Sequence, residues 1–421
     1  MSKTVKTDPS CMDDFDPNSL LVEQALARID ETIEPIQGFE KVAIRSALHR
    51  TLAEDVLSPI NVPSHTNSAM DGYAVNSADL PASGTRTLKL IGTAMAGHPL
   101  KQAIAQGECA RIMTGAMMPE GTDTVIMQEH VQRKDDKVTL DNRHRPSQHV
   151  RQAGDDLALG QVVLQKGRRL IPADLGLLAS LGVAEVKVMR RPRIAFFSTG
   201  DELRSIGEAL QEGQIYDSNR YTLYGMLTAL GVEIMDMGVI PDDRTEVEQA
   251  FSYAAENADA VITSGGVSVG EADYIKETLD TLGEVNFWKI AMKPGKPLSF
   301  GRVGKAFFFG LPGNPVSVMV TFYQFVQPAL KRLMGQTDVE PVRIRVKCSS
   351  SLKKQSGRME YQRGILETTA DGGMGVRSTG HQGSHILSSM SNANCFIVLP
   401  LENAGVEPGD EVEVQPFYGL I

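Results

Sequence analysis

Between Arg193 and Met334, apolar runs of strand length alternate with runs of helix length: 194–198, 221–230, 233–239, 245–257 and 260–263. Runs that are apolar throughout suit strands covered on both faces. The longer amphipathic stretches between them suit crossover helices, so the pattern predicts a parallel sheet with helices on both sides. In such sheets ligands sit at the carboxyl ends of the strands. Four polar, Gly- or Pro-containing loops fall there: Thr199-Gly200-Asp201-Glu202, Pro241-Asp242-Asp243, Ser264-Gly265-Gly266 and Leu311-Pro312-Gly313-Asn314-Pro315. They are expected to gather around one cleft.

The flanking segments have a different texture. Residues 1–18 are polar with an acidic run and read as a disordered tail. Val22, Ala25, Leu26, Ile29 and Ile33 form a helical stripe, and Ile44, Leu48 and Leu52 suggest a second helix before Pro59. From residue 61 to 150 short β-like pieces (87–92, 124–127, 137–140) alternate with turns, which predicts a mainly β insertion. Helical character returns at 174–181 and a strand follows at 183–189, before the basic break Arg190-Arg191-Pro192-Arg193, where a domain boundary is expected. Asn314 as N-cap, Pro315 at the first position and the stripe Val318, Phe322, Phe325 and Leu330 predict a further helix. Strand-like pieces at 342–348, 396–399 and 411–414 predict a small C-terminal β domain.

Composition narrows the function classes. A chain of 421 residues, 42% of them hydrophobic, can build about three domain cores. A net charge of −10 offers no general basic face for nucleic acid or for an anionic membrane, so an anionic ligand must bind locally. Cys11, Cys109, Cys348 and Cys395 are scattered without a CxxC pair, against a disulfide framework or structural zinc, and the cytoplasm is the natural compartment. No signal-type apolar core and no long uncharged apolar run is present, so a soluble protein is expected.

Three groups of residues carry potential chemistry. The run TSGGVSVGEADY at 263–274 follows an apolar strand and opens a helix-like segment. Ser264, Gly265, Gly266, Ser268 and Gly270 would let backbone N–H groups approach a phosphate, although a Gly-rich turn alone serves equally as a tight connection. Glu202, Asp242, Asp243 and Asp273 lie on strand-end loops of the same sheet and together would suit magnesium; singly, each is as readily a helix cap or a solvated acid. Lys289, Lys293 and Lys296 surround a Pro-Gly pair that no regular helix tolerates, so they are expected on a loop. Without an anion they would repel one another, yet lysines alone are most often solvated surface. GxxxxGK[ST] and GxGxxG are absent. Asp71-Gly72 reads as a turn, and Arg111 to Gly115 and Arg151 to Asp156 are polar loops that residue chemistry leaves undecided. His65 and His98 suit the surface, with no metal-type spacing around them.

Taken in order, SAMDGYAV, RIMTGAMMPEG, the loop at Arg151, STGDEL, IYDSN, TSGGVSVGEADY, KPGKP and GLPGNPVSV resemble the molybdopterin molybdenumtransferase (MoeA) family from about Leu20 onward. The resemblance implies a multidomain α/β and β protein. It has a discontinuous domain at 19–61 and 151–190, a β insertion at 62–150, a molybdopterin-binding α/β domain at 191–335 and a barrel-like β domain at 336–421. It also implies a homodimer that inserts molybdenum from molybdate into adenylylated molybdopterin with magnesium, and transient contact with the molybdopterin adenylyltransferase. Gly265, Gly266 and Ser268 would then meet the pterin phosphate or adenylate, with Ser264, Gly270, Lys296, Pro312, Gly313, Asn314, Pro315 and Ser384 completing the binding set. Lys289 and Lys293 would take the pyrophosphate or oxyanion, and Glu202, Asp242 and Asp273 the metal. Asp71, Thr114 and Asp156 would come from the partner subunit. Proteins of the competence-damage-inducible class resemble the Gly-rich region but leave SAMDGYAV and RIMTGAMMPEG unexplained. A gephyrin-type scaffold would call for a fused adenylylating domain or long linker.

Overall fold

A computed structural model describes residues 19–265, 278–279 and 281–417. Helix α1 (Val22–Thr32) buries Val22, Ala25 and Ile29 as its spacing dictates. With Ile33 these residues enter the same core as Leu330 and Leu333, far along the chain. The second helix expected at 44–52 does not form. Only one tight turn (Ile44–Ser46) appears, because His49 adopts φ 62°, a left-handed conformation through which a helix cannot run. Ala47 and Leu52 are still buried, against Leu164, Leu170, Leu178, Val186 and Val188, so segments on either side of the insertion share one core. Helix α2 (Pro172–Ser180) and the antiparallel pair Phe39–Ala43 with Glu185–Met189 frame it.

Residues 72–141 form a six-stranded sheet in the order Thr124–Met127, Gly72–Val75, Glu108–Ile112, Thr85–Ala94, Lys137–Asp141, Val131–Lys134. Asp71-Gly72 is a bend leading directly into a strand rather than a chain-reversing turn. Glycine is required at 72 because a Cβ would stand 2.0 Å from the Ile126 carbonyl oxygen.

The central sheet runs Glu233–Ile240, Arg193–Thr199, Ala260–Ser264, Ala306–Leu311, Pro297–Val303, Gly283–Lys289. Its first four strands are parallel, as expected; the last two pairings are antiparallel, with Pro297–Val303 alone running against the other five strands, so the sheet is mixed. The reason is connection length: Gly304-Lys305 alone joins Val303 to Ala306, with Gly304 at φ 58°, and a two-residue link can only reverse the chain. Alternation along the strands feeds two cores. Ile194, Phe196, Ile262 and Phe309 face helix α3 (Ser218–Leu230) and the helix opening at Pro315; Ala195, Phe197, Val261 and Phe308 face helix α4 (Arg244–Asn257). Phe251 of α4 packs edge-on against Phe197 and Phe308 at 5.2 and 5.5 Å. This two-sided burial is why the strands read as unbroken apolar runs.

The helix from Pro315 widens into a π-type turn at Phe322–Val326 just ahead of Pro328, whose ring has no N–H to donate and would crowd the carbonyl four residues back. It ends at Gly335, φ 77°, where Gln336 N–H reaches back to Lys331 O at 3.0 Å. Beyond it, Ile344–Cys348, Met359–Thr368, Met374–Ser378, Cys395–Leu399 and Glu411–Pro416 close into a five-stranded barrel, since Met359–Thr368 pairs with both of its neighbours around the ring. Among the described residues no helix is long and apolar enough to cross a membrane.

Candidate functional site

The carboxyl ends of three parallel strands are drawn together by backbone. Gly265 N–H donates to Leu311 O at 3.2 Å, and at φ 92° a Cβ on Gly265 would stand 2.9 Å from Thr199 O. Only glycine fits there, in both conformation and space. Asn219, in the first turn of α3, ties the junction from the side. Its Nδ2 donates to Ser264 Oγ at 2.8 Å and to Gly313 O at 2.7 Å. Asp217, 2% exposed, caps α3 by accepting the Arg220 N–H at 3.1 Å. Around these contacts Ser198 Oγ, Thr263 Oγ1, Asp217 Oδ2 and Asn219 Oδ1 are buried without a hydrogen-bond partner among the described residues. A concentration of unsatisfied donors and acceptors at one sheet edge marks a place built to meet something polar.

Acids crowd the adjoining loops. Asp242 N–H donates to Asp201 Oδ1 at 3.3 Å, and the Glu202 carboxylate folds back over Gly200, where a Cβ would lie 2.5 Å from Glu202 Oε2. Partial burial, with Asp201 and Glu202 close by, pushes the Asp242 carboxyl above its ordinary range. Asp243 is instead a helix cap, accepting the Thr245 and Glu246 N–H groups at 2.9 and 3.1 Å. No group of three or more metal-type side chains comes together among the described residues. Asp273, Gly266, Ser268 and Gly270 lie outside the described residues.

Beside the strand-end junction, through Gly313, stands the helix from Pro315. Asn314 occupies the cap position but makes no side-chain cap bond; its carbonyl accepts the Val318 N–H at 3.0 Å. Ser384 O accepts the Val316 N–H at 3.1 Å, which brings the barrel loop to the start of this helix. That loop is held from beneath by Arg363, 1% exposed, which donates to Gly383 O and Ser389 Oγ, both at 3.0 Å; burial draws its pKa down to about 10. The lysines, expected on one loop, instead sit around a hairpin turn with two of them in strand conformation. Lys289 ends an edge strand, Lys293 lies on a two-residue strand beside Glu360 (3.9 Å), and Lys296 precedes the next strand. Ile290 N–H closes the turn onto Lys296 O at 2.7 Å, and Gly295, φ 100°, approaches Thr321 so closely that a Cβ would be 2.6 Å from its Oγ1. The turn is thus packed against the Pro315 helix.

A second group forms within the β insertion. Asp71 Oδ1 accepts both the backbone N–H and the hydroxyl of Thr114 at 2.7 Å, and these bonds hold its carboxyl below the ordinary range. Asp156 is exposed and its N–H donates to Val62 O at 2.9 Å. Among the described residues no hydrogen bond or ion pair links 62–150 to 191–417.

Sequence profiles for the MoeA N-terminal region (domain I and II), a probable molybdopterin binding domain and the MoeA C-terminal region (domain IV) match residues 20–182, 195–332 and 345–417. The molybdopterin molybdenumtransferase of Haemophilus influenzae is 48% identical over 96% of this chain and all of its own length. The chain belongs to the molybdopterin molybdenumtransferase (MoeA) family. Another member, from the cyanobacterium Nostoc, is 38% identical over 90% of this chain and 88% of its own. The crystal structure of the molybdopterin biosynthesis moeA protein from Pyrococcus horikoshii matches with a TM-score of 0.83 at 29% identity, covering 95% of this chain and all of that one.

Within this MoeA chain, sequence reasoning placed Asp201 on a strand-end loop and Asp217 and Asn219 in the motif IYDSN without singling them out as site residues, and it missed Arg363. A signal existed for Asp217 and Asn219: Asp217-Ser218-Asn219 precedes a helix at the edge of the predicted sheet, where an N-cap belongs. Arg363 has no such signal, because only the closed barrel buries it.

Proposed function

We propose that this chain inserts molybdenum from molybdate into adenylylated molybdopterin, releasing molybdenum cofactor and AMP in the cytoplasm. The observation that carries the reading is the strand-end junction of Ser264, Gly265, Asn219 and Gly313 beside the acids Glu202 and Asp242, in a chain related over almost its full length to molybdopterin molybdenumtransferases. Two anionic reactants repel each other, so a site for them needs donors that stay fixed while charge is redistributed. The Gly265 region and Asn219 hold the phosphate side, and Lys289, Lys293 and Lys296 draw in the pyrophosphate or oxyanion. Ser384 and Pro312 to Pro315 shape the far wall.

Magnesium fits the acids present. It is commonly held by one or two carboxylates together with substrate phosphate, and a cation would relieve both the desolvation and the Asp201 and Glu202 crowding that raise Asp242. Glu202 and Asp242, with Asp273, would hold it, and when bound it would neutralise charge on the reacting phosphate. Among the described residues no cysteine is placed to bind molybdenum: Cys109, Cys348 and Cys395 are buried, and burial pushes Cys109 and Cys395 up to about 12. We assign the chain the four-domain organisation of 19–61 with 151–190, 62–150, 191–335 and 336–421. In this reading the protein is a homodimer in which Asp71, Thr114 and Asp156 complete the partner's cleft, and the substrate is handed over by the molybdopterin adenylyltransferase. The test is to incubate purified protein with adenylylated molybdopterin, magnesium and molybdate. AMP and active cofactor should accumulate together; absence of both above a protein-free control sinks the reading.

A further inference from the structure

Away from this cleft, the turn carrying Lys166 to Arg169 docks against the segment that follows the Pro315 helix. Thr337 N–H donates to Gly167 O at 3.3 Å, and a Cβ on Gly167 would lie 2.6 Å from Thr337 Cγ2. Two cavities open on either side of this contact, of about 660 and 400 Å³, and both are lined by Arg169, Lys331, Gln336 and Asp338. Arg169 and Lys331 therefore stand side by side at the centre of one trough. Neither side chain makes a hydrogen bond or ion pair with a described residue. By contrast, the neighbouring Arg168 is bidentate to Asp174 at 2.9 Å through each nitrogen, and Arg332 is paired with Asp30. Asp338 acts on Lys331 only through space. Partial desolvation by the trough wall lowers the pKa of both cations, although Arg169 keeps an exposed side and Lys331 is half-buried, and Arg169 lowers Lys331 further by repulsion.

Two like charges left unpaired at a protein junction cost stability unless something anionic joins them. A guanidinium fork beside an ammonium suits the oxygens of a phosphate group. The smaller cavity extends past Met226, Leu230, Tyr323 and Phe417, giving apolar room beside the charged centre.

We propose that the trough centred on Arg169 and Lys331 is a second anion site, binding a phosphate group at the junction of the N-terminal, α/β and C-terminal segments. The phosphate is either free or carried by a nucleoside monophosphate. Titration calorimetry with inorganic phosphate and with AMP, at constant ionic strength, tests it in wild type, in Arg169→Gln with Lys331→Met, and in the charge-keeping pair Arg169→Lys with Lys331→Arg. Binding of phosphate or AMP to the trough should weaken at least tenfold in the first variant and survive in the second. Tighter AMP binding than phosphate would place a nucleoside in the apolar arm; equal binding would mark the free anion as the ligand. Thermal melts guard against misfolding: Lys331→Met alone should melt above wild type without phosphate and lose the phosphate-dependent rise. The proposal fails if wild type shows no saturable binding that the charge-removing variants reduce, or if Lys331→Met melts below wild type and keeps the rise.

Discussion

Asp242 illustrates how a single side chain can be read from its energetic cost. Its folded-state pKa lies above the ordinary 3.8, so the ionised carboxylate destabilises the fold. This penalty is fully present above the raised value and disappears as pH falls below 3.8. Asp242→Asn should therefore melt higher than wild type at neutral pH without magnesium, with the gap closing in acid, while AMP release falls on the order of 100-fold as for loss of an electrostatic catalytic group. Equal melting curves across pH would show that the crowding of Asp201, Glu202 and Asp242 has no energetic consequence. Asn219 works in the other sense. Its two hydrogen bonds fasten Ser264 to Gly313, so Asn219→Ala should cost about 1–3 kcal/mol in denaturant unfolding, the range for leaving a buried polar group without its partner. AMP release should fall more than the modest loss of stability explains.

Among the elements, the hairpin from Lys289 to Lys296 is where local sequence and tertiary contact meet most sharply. Gly295 has both a left-handed φ of 100° and no room for a Cβ beside Thr321. Gly295→Ala should destabilise by more than the ~1 kcal/mol typical of a helix glycine change, and should misplace Lys293 and Lys296 together. Lys293→Ala should lower melting only modestly, because the 3.9 Å approach is loose, although the Glu360 carboxylate it leaves behind is buried and keeps the Gln362 amide as a donor. It should weaken binding of adenylylated molybdopterin or molybdate roughly tenfold or more at low salt, and less as salt is raised. Unchanged affinity at low salt would return the lysine to a solvating role.

At the scale of the whole molecule, the Asp71–Thr114 pair is organised within the β insertion, while the strand-end junction is organised in the central sheet. Among the described residues no hydrogen bond or ion pair joins the two. If each cleft draws one group from either subunit, a heterodimer of Asp71→Asn and Asp242→Asn chains regains one intact site of two. Differently tagged single mutants, co-expressed and separated, should yield a heterodimer that releases AMP at about half the wild-type rate while either homodimer is nearly inactive. An inactive heterodimer with subunit exchange demonstrated would require the site to be assembled within one chain.

The sequence by itself determined the parallel strands of the central sheet, their crossover helices and the loops at their carboxyl ends, because burial on both faces leaves an unbroken apolar run that few other settings require. It also carried the ordered motifs by which the family is legible. It did not determine the helix expected at 44–52: the apolar spacing was real, but His49 at φ 62° and the partners Leu164 to Val188 fold the segment into a different core. Nor did local pattern separate a loop of lysines from an edge hairpin, since strand pairing depends on residues 297–311 rather than on the lysines' own neighbours. Asp201 beside Asp242, Asn219 across Ser264 and Gly313, and Arg363 beneath Ser384 are long-range encounters. Periodicity records which face of an element is buried; which two buried or crowded groups meet is decided only when the elements pack.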